Sequence, residues 1–225
     1  MIQVNRTVKP AVLESNETKW LGEYIIALDK YQSNKNDASK KIKVKTEKKY
    51  NNAEVKKALK VMFSSKCAYC ESHISHIDYG EIEHFKPKSK FPNSCFDWDN
   101  LLLGCSICNG KLFKGNKFPE VEEGGPFVNP VVENPNDFFE FDFDPNTGTA
   151  NVIPKNTRGV TTEKELGLNR DDLVRHRSSM VRKMVVIAIK ASNGDEDCKY
   201  ELLRCCNNQE EYAAFARFLR NRFKI

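Results

Sequence analysis

The sequence predicts an α+β protein in which a small zinc-stapled core sits between mainly helical N- and C-terminal extensions. Three observations predict it. Two CxxC pairs, Cys67-Ala-Tyr-Cys70 and Cys105-Ser-Ile-Cys108, stand 34 residues apart in the middle of the chain. Stretches on both sides of them carry apolar residues at helical spacing. Between the second pair and the later helices, Phe139, Phe141 and Phe143 alternate with acidic residues, followed by DPNTGT and TANVI. That period of two around turn residues is a hairpin signal.

The elements follow in order. Residues 15–32 read as a helix capped by Ser15 or Asn16, with Trp20, Tyr24, Ile25 and Leu28 at helical spacing. Residues 33–50, SNKNDASKKIKVKTEKKY, read as a mobile connector or a loop facing nucleic acid. A helix over 52–65 presents Val55, Leu59 and Met62 on one face and leads into the first CxxC pair. The Gly/Pro/Asn-rich stretch GGPFVNPVVENPNDFF marks a boundary. A long helix is expected from its cap, Asn169, to about Ser192, with Asp171 and Asp172 in the first turn and Leu173, Val181, Met184 and Ala188 along one stripe. Two further helices are expected over 196–206 and 208–223, the last carrying Tyr212, Phe215, Leu219 and Phe223. The organisation is therefore a basic helical extension (1–60), a zinc-stapled core (61–120) and a hairpin plus helical region (121–225) offering a candidate partner surface.

Composition narrows the class. Of 225 residues, 40% are hydrophobic and 30% charged, which supports a packed core and excludes global disorder. No run of about 18 apolar residues occurs, so no membrane-spanning helix is expected. The opening MIQVNRTVKPAVLE lacks the apolar stretch of a signal peptide, and a cytoplasmic protein is expected. Residues 1–66 hold 15 Lys/Arg against 7 Asp/Glu, while the remainder holds 21 against 24. The net charge of +5 is thus concentrated in the N-terminal third, which suits a polyanionic partner or a plain solvated face.

Two thiolates two residues apart reach one ion, and two such knuckles complete a tetrahedral Zn²⁺ shell with no place for water. Cys67, Cys70, Cys105 and Cys108 therefore predict a structural zinc. Cys95, Cys198, Cys205 and Cys206 read as small core residues. His73 and His76 read as loop residues, and His176 as structural.

Between the knuckles stand Glu83-His84-Phe85-Lys86-Pro87-Lys88 and Asp97-Trp98-Asp99-Asn100-Leu101-Leu102; Asn109, Lys111, Lys114 and Gly115 follow the last cysteine. This order resembles the HNH nucleases, whose site is a ββα-metal finger: an acidic-His dyad on a strand, a central Asn before an apolar run, and a His or Asn opening a helix. The resemblance implies His84 as general base, Glu83 and Asn109 as holders of the catalytic metal, and Asn100 as a brace for the inter-strand loop. Lys111 or Lys114 would touch phosphate. The chemistry suits these types, because imidazole takes a proton near neutral pH, and oxygen donors suit a hard cation such as Mg²⁺ or Mn²⁺. Adjacent strand residues point to opposite faces, so Glu83 and His84 share a site only where the strand ends or bends. Two departures stand out: Glu83 replaces the commoner Asp, and Asn109 the second His.

The likeness extends through KCAYCESHI, EIEHFKPKS, DWDNLLLGCSICNGKLFKGNKFP, FVNP, FFEFD, NVIP and LGLNRDDLVRHR, over roughly residues 55–178. These segments are similar to the PtuB-like HNH subunits of Septu-type anti-phage defence systems. The resemblance implies a phosphodiester hydrolase acting on nucleic acid, DNA rather than RNA, beside a PtuA-like ABC/SMC-type ATPase; some members accompany retrons. An RNA (tRNA) nuclease and a non-catalytic zinc-stapled binding module remain the alternatives.

Overall fold

The computed structural model describes residues 1–74 and 79–225. Helix α1 (Ala11–Asn34) begins upstream of its expected start, behind Pro10 at φ −59°, an angle already suited to helix entry. Asn16 does not cap it; inside the first turns its amide donates to Val12 O at 2.9 Å. Residues 33–50, expected as a connector, largely form helix α2 (Asp37–Glu47). The Asn36 side chain accepts from Ser39 N at 2.8 Å, and Lys43 pairs with Glu47 one turn later at 2.5 Å. A helix held by a cap and an ion pair buries no residue, so it leaves no apolar period to read. Helix α3 (Ala53–Met62) follows, capped by Asn52, with Val55, Leu59 and Met62 buried as expected.

Two short strands come next, β1 (Glu81–His84) and β2 (Leu101–Gly104), paired antiparallel with Glu83 opposite Leu102 and His84 opposite Leu101. Leu101, Leu102 and Leu103 are fully buried and anchor the pair in the core. The third part of the finger is a succession of turns over 106–116 instead of a regular helix. Its backbone is bent around the second knuckle: a Cβ on Gly110 would lie 2.9 Å from Ser106 O, and Gly115 stands at φ +46°. Only glycine follows that path cheaply.

Strands β3 (Phe139–Asp144) and β4 (Thr149–Pro154) form the expected hairpin, with Phe139, Phe141 and Phe143 buried on one face. Helix α4 (Thr157–Leu166) was not foreseen; Asn156 caps it and Gly167, at φ 58°, ends it. Helix α5 (Asp171–Ser192) lacks the expected Asn169 cap. Asn169 instead pairs with β4, donating to Val152 O at 2.7 Å and accepting from Val152 N at 3.0 Å. Helices α6 (Glu196–Cys205) and α7 (Ala213–Arg222) complete the chain, with Phe215 and Leu219 of α7 in the core. Cys205 and Cys206 are buried, but Cys198 is partly exposed, correcting its placement in the core.

One apolar cluster runs from Leu13 and Leu59 through Leu102 and Phe141 to Leu202 and Leu219. A satellite cluster of Tyr24, Cys95 and Phe96, with Trp20 and Tyr50 packed against it, joins α1 to the loop between β1 and β2. Among the described residues, no helix is long and apolar enough to cross a membrane.

Candidate active site

The four knuckle cysteines converge at the root of the finger. Their sulfurs all lie within 4.8 Å of one another, with Cys70 and Cys105 at 4.0 Å. A tetrahedral ion with bonds of about 2.3 Å requires sulfur–sulfur edges of about 3.8 Å, so the set fits Zn²⁺ with little adjustment. Backbone amides point at the sulfurs: Cys105 N donates to Cys67 Sγ and Cys108 N to Cys105 Sγ, each at 3.4 Å. The Arg170 guanidinium donates to Cys108 Sγ at 3.5 Å and offsets the negative charge of a four-thiolate centre. Burial pushes the Cys67 thiol well above its ordinary range, and a cation is what allows four packed sulfurs to ionise together.

Above this root, Glu83 and His84 are the last two residues of β1, opposite Leu102 and Leu101. Gly104, opposite Glu81 and diagonal to Glu83, opens space between Glu83 and the turns. A Cβ on it would stand 3.2 Å from Glu83 Cβ and 3.6 Å from Asn109 Cβ. Glu83 and Asn109 therefore approach each other over a missing side chain.

Glu83 is 3% exposed. Its carboxylate ion-pairs with Lys114, which is fully buried, and accepts from the Tyr69 hydroxyl at 3.3 Å. Burial raises the Glu83 pKa, and the Lys114 ammonium opposes that rise. Lys114 also donates to His84 O at 2.8 Å. The chain thus places an ammonium against the carboxylate expected to hold a cation, so a metal ion there would share or displace that ion pair. The donor set of carboxylate and amide oxygen suits a hard divalent ion.

His84 is 5% exposed. Burial holds its pKa down to about 3, so the imidazole is neutral at physiological pH. Its Nε2 lies 2.8 Å from Cys95 O. A carbonyl only accepts, so the proton sits on Nε2 and the lone pair on Nδ1. The Tyr50 ring stands against the imidazole at 4.5 Å and 86°.

Asn100 ties the loop between the strands together. It accepts from Lys86 N at 2.7 Å and donates to Lys86 O at 3.0 Å and Ser94 O at 2.9 Å. The Asn109 amide nitrogen donates to Glu81 at 2.5 Å, leaving its oxygen as the acceptor face. Lys111 is exposed, whereas Lys114 is enclosed between Glu83 and the His84 backbone. His73 is in a bridge with Lys66, and its backbone NH donates to Glu211 at 3.0 Å. His176 faces the same Glu211 at 3.4 Å. His76 lies outside the described residues.

Sequence reasoning missed Tyr50, Glu81, Tyr69 and Arg170. Glu81 was findable, since it shares a strand face with Glu83. The other three reach the site through tertiary packing, for which a single sequence carries no periodic signal.

The chain matches the HNH endonuclease family over residues 67–114, the span holding both knuckles and every motif residue between them. It is similar to Septu protein PtuB of Bacillus mycoides (strain KBAB4), 30% identical over 220 residues, which cover 86% of this chain and 72% of that protein. It is also 37% identical over 120 residues to Septu protein PtuB of Bacillus thuringiensis, covering 52% of this chain and 42% of the relative.

Proposed function

Because the chain belongs to the PtuB-like branch of the HNH endonuclease family, we propose that it hydrolyses DNA phosphodiester bonds as the nuclease subunit of an anti-phage defence complex, beside a PtuA-type ATPase. One observation carries the reading: a neutral, buried His84, fixed through Nε2 on Cys95 O, next to a Glu83 carboxylate already balanced by positive charge.

In this account Nδ1 of His84 takes the proton of the attacking water. The orientation of that ring is set before substrate arrives. Glu83 and the Asn109 amide oxygen would hold Mg²⁺ or Mn²⁺, which when bound offsets the charge developing on the phosphate and leaving oxygen. Asn100 holds the loop so that His84 and Glu83 keep their relation. Lys111, which is exposed, would meet a backbone phosphate, a contact that orients without reading sequence. Cys67, Cys70, Cys105 and Cys108 would hold a structural zinc that fixes the turns carrying Asn109.

Purified protein with its partner ATPase, ATP, plasmid and Mn²⁺ tests the proposal. His84→Ala is expected to slow nicking by roughly 10²–10⁴-fold, the usual value of a positioned base. Equal cutting by wild type and His84→Ala, in every combination of ATPase and metal, would remove the enzyme reading. End-labelled RNA in the same reactions separates a DNA nuclease from an RNA nuclease.

A further inference from the structure

Both groups that hold the His84 ring depend on a segment outside the finger. Nε2 lies 2.8 Å from Cys95 O, and the ring meets Tyr50 edge-on at 4.5 Å. Cys95 is anchored to that same segment, its thiol donating to Glu47 O at 3.9 Å and its side chain packed with Tyr24 and Phe96. Lys88 closes the circuit. Its ammonium lies 3.6 Å from the Glu47 carboxylate, donates to the Tyr50 hydroxyl at 3.4 Å and sits 5.1 Å from the Tyr50 ring centre.

Resting on the assignment of His84 as the base, we infer that Tyr50 is a positioning residue, which keeps the imidazole in a single orientation and tautomer. An imidazole turned by 180° about Cβ–Cγ has almost the same shape, so packing volume alone does not select one orientation. That flip exchanges Nδ1 with Cδ2 and Nε2 with Cε1, breaking the bond to Cys95 O and removing the basic nitrogen from the site. The carbonyl bond selects the correct orientation, and a perpendicular aromatic wall obstructs rotation of the ring away from it. Lys88 also touches Tyr50, at its hydroxyl and its ring, so the wall does not depend on its own packing alone. It lies between α2 and α3, ahead of residues 67–114, and so gives the N-terminal extension a role at the reacting atom's distance.

The test compares Tyr50→Ala and Tyr50→Phe with wild type, each as the full chain with its partner ATPase. Three quantities are read: kcat and KM on plasmid, Mn²⁺ affinity by electron paramagnetic resonance, and the His84 tautomer from side-chain ¹⁵N shifts, assigned by their loss in His84→Ala. For Tyr50→Ala we expect kcat to fall roughly tenfold, KM and Mn²⁺ affinity to hold, and the pure Nε2–H signal to become a mixture. Tyr50→Phe keeps the ring and should behave as wild type. Should Tyr50→Ala not fold, Tyr50→Leu supplies the same comparison with the cluster filled. A ring-less variant that retains a single Nε2–H tautomer and wild-type kcat overturns the inference, as does a fall in kcat that tracks a fall in melting temperature with the tautomer unchanged. Undiminished cutting by His84→Ala would instead sink the base assignment, a separate result that the tautomer signal does not share.

Discussion

Glu83 and His84 are neighbours in the chain, yet burial acts on them in opposite ways. It raises the pKa of the carboxyl, against the pull of the Lys114 ammonium, and it lowers that of the imidazole to about 3. Lys114 is the residue whose role the fold changes most. In sequence it is one of several lysines after the second knuckle; in the fold it is fully enclosed, bound to Glu83 and to His84 O. Lys114→Met leaves a buried carboxylate without its partner and is expected to cost about 3 kcal/mol of stability in metal-free solution. Because Mn²⁺ then meets the carboxylate without a competing ammonium, it should restore more of the melting temperature in the variant than it adds to wild type. Thermal melts with and without Mn²⁺ check this; an equal Mn²⁺ increment in both proteins would contradict it. The clustering of the four cysteines was legible from their spacing, whereas Glu83, His84 and Asn100 were singled out by the resemblance to HNH nucleases. The engagement of Lys114, the Glu81–Asn109 bond and the Tyr50 ring were not legible, since each joins residues whose separation says nothing about contact.

At the scale of elements, strand β1, strand β2 and the turns after the second knuckle act together through Gly104. Its absent side chain is the space over which Glu83 and Asn109 face each other. Gly104→Ala should push the two apart by a few tenths of an ångström. We expect Mn²⁺ affinity to drop roughly tenfold while the zinc content and far-UV spectrum stay as in wild type. Unchanged Mn²⁺ binding would show that the two residues do not share an ion. Helices were legible where an apolar stripe exists, as in α3 with Val55, Leu59 and Met62. They were hidden where stability comes from caps and ion pairs. Helix α2 rests on Asn36 and the Lys43–Glu47 pair, and α4 lies between the Asn156 cap and Gly167. Asn169 misled because its side chain bonds β4 rather than the helix it precedes.

Over the whole molecule, the finger is held from both sides. The N-terminal helices grip the loop carrying Cys95, through the cluster of Tyr24, Cys95 and Phe96. The C-terminal region reaches the cysteine cluster through Arg170 on Cys108, and through Gly167, whose missing side chain admits the Phe113 ring. Arg177, buried in α5, donates to Ala150 O at 2.9 Å and Leu168 O at 2.8 Å, tying the hairpin to the same segment. The motif LGLNRDDLVRHR therefore has a mechanical meaning that its spelling alone did not disclose: Arg170 and Gly167 fasten the helical region to the cysteine cluster, and Arg177 ties it to the hairpin. In the proposed arrangement, four sulfurs hold one ion and Glu83 and Asn109 hold another beside His84. Anomalous diffraction from crystals soaked in Mn²⁺, recorded at the zinc and manganese edges, tests it most directly. We expect zinc among Cys67, Cys70, Cys105 and Cys108, and manganese bonded to a Glu83 oxygen and Asn109 Oδ1, with His84 Nδ1 facing a water on that ion. Manganese seated elsewhere, or an imidazole turned away from it, would contradict the claim.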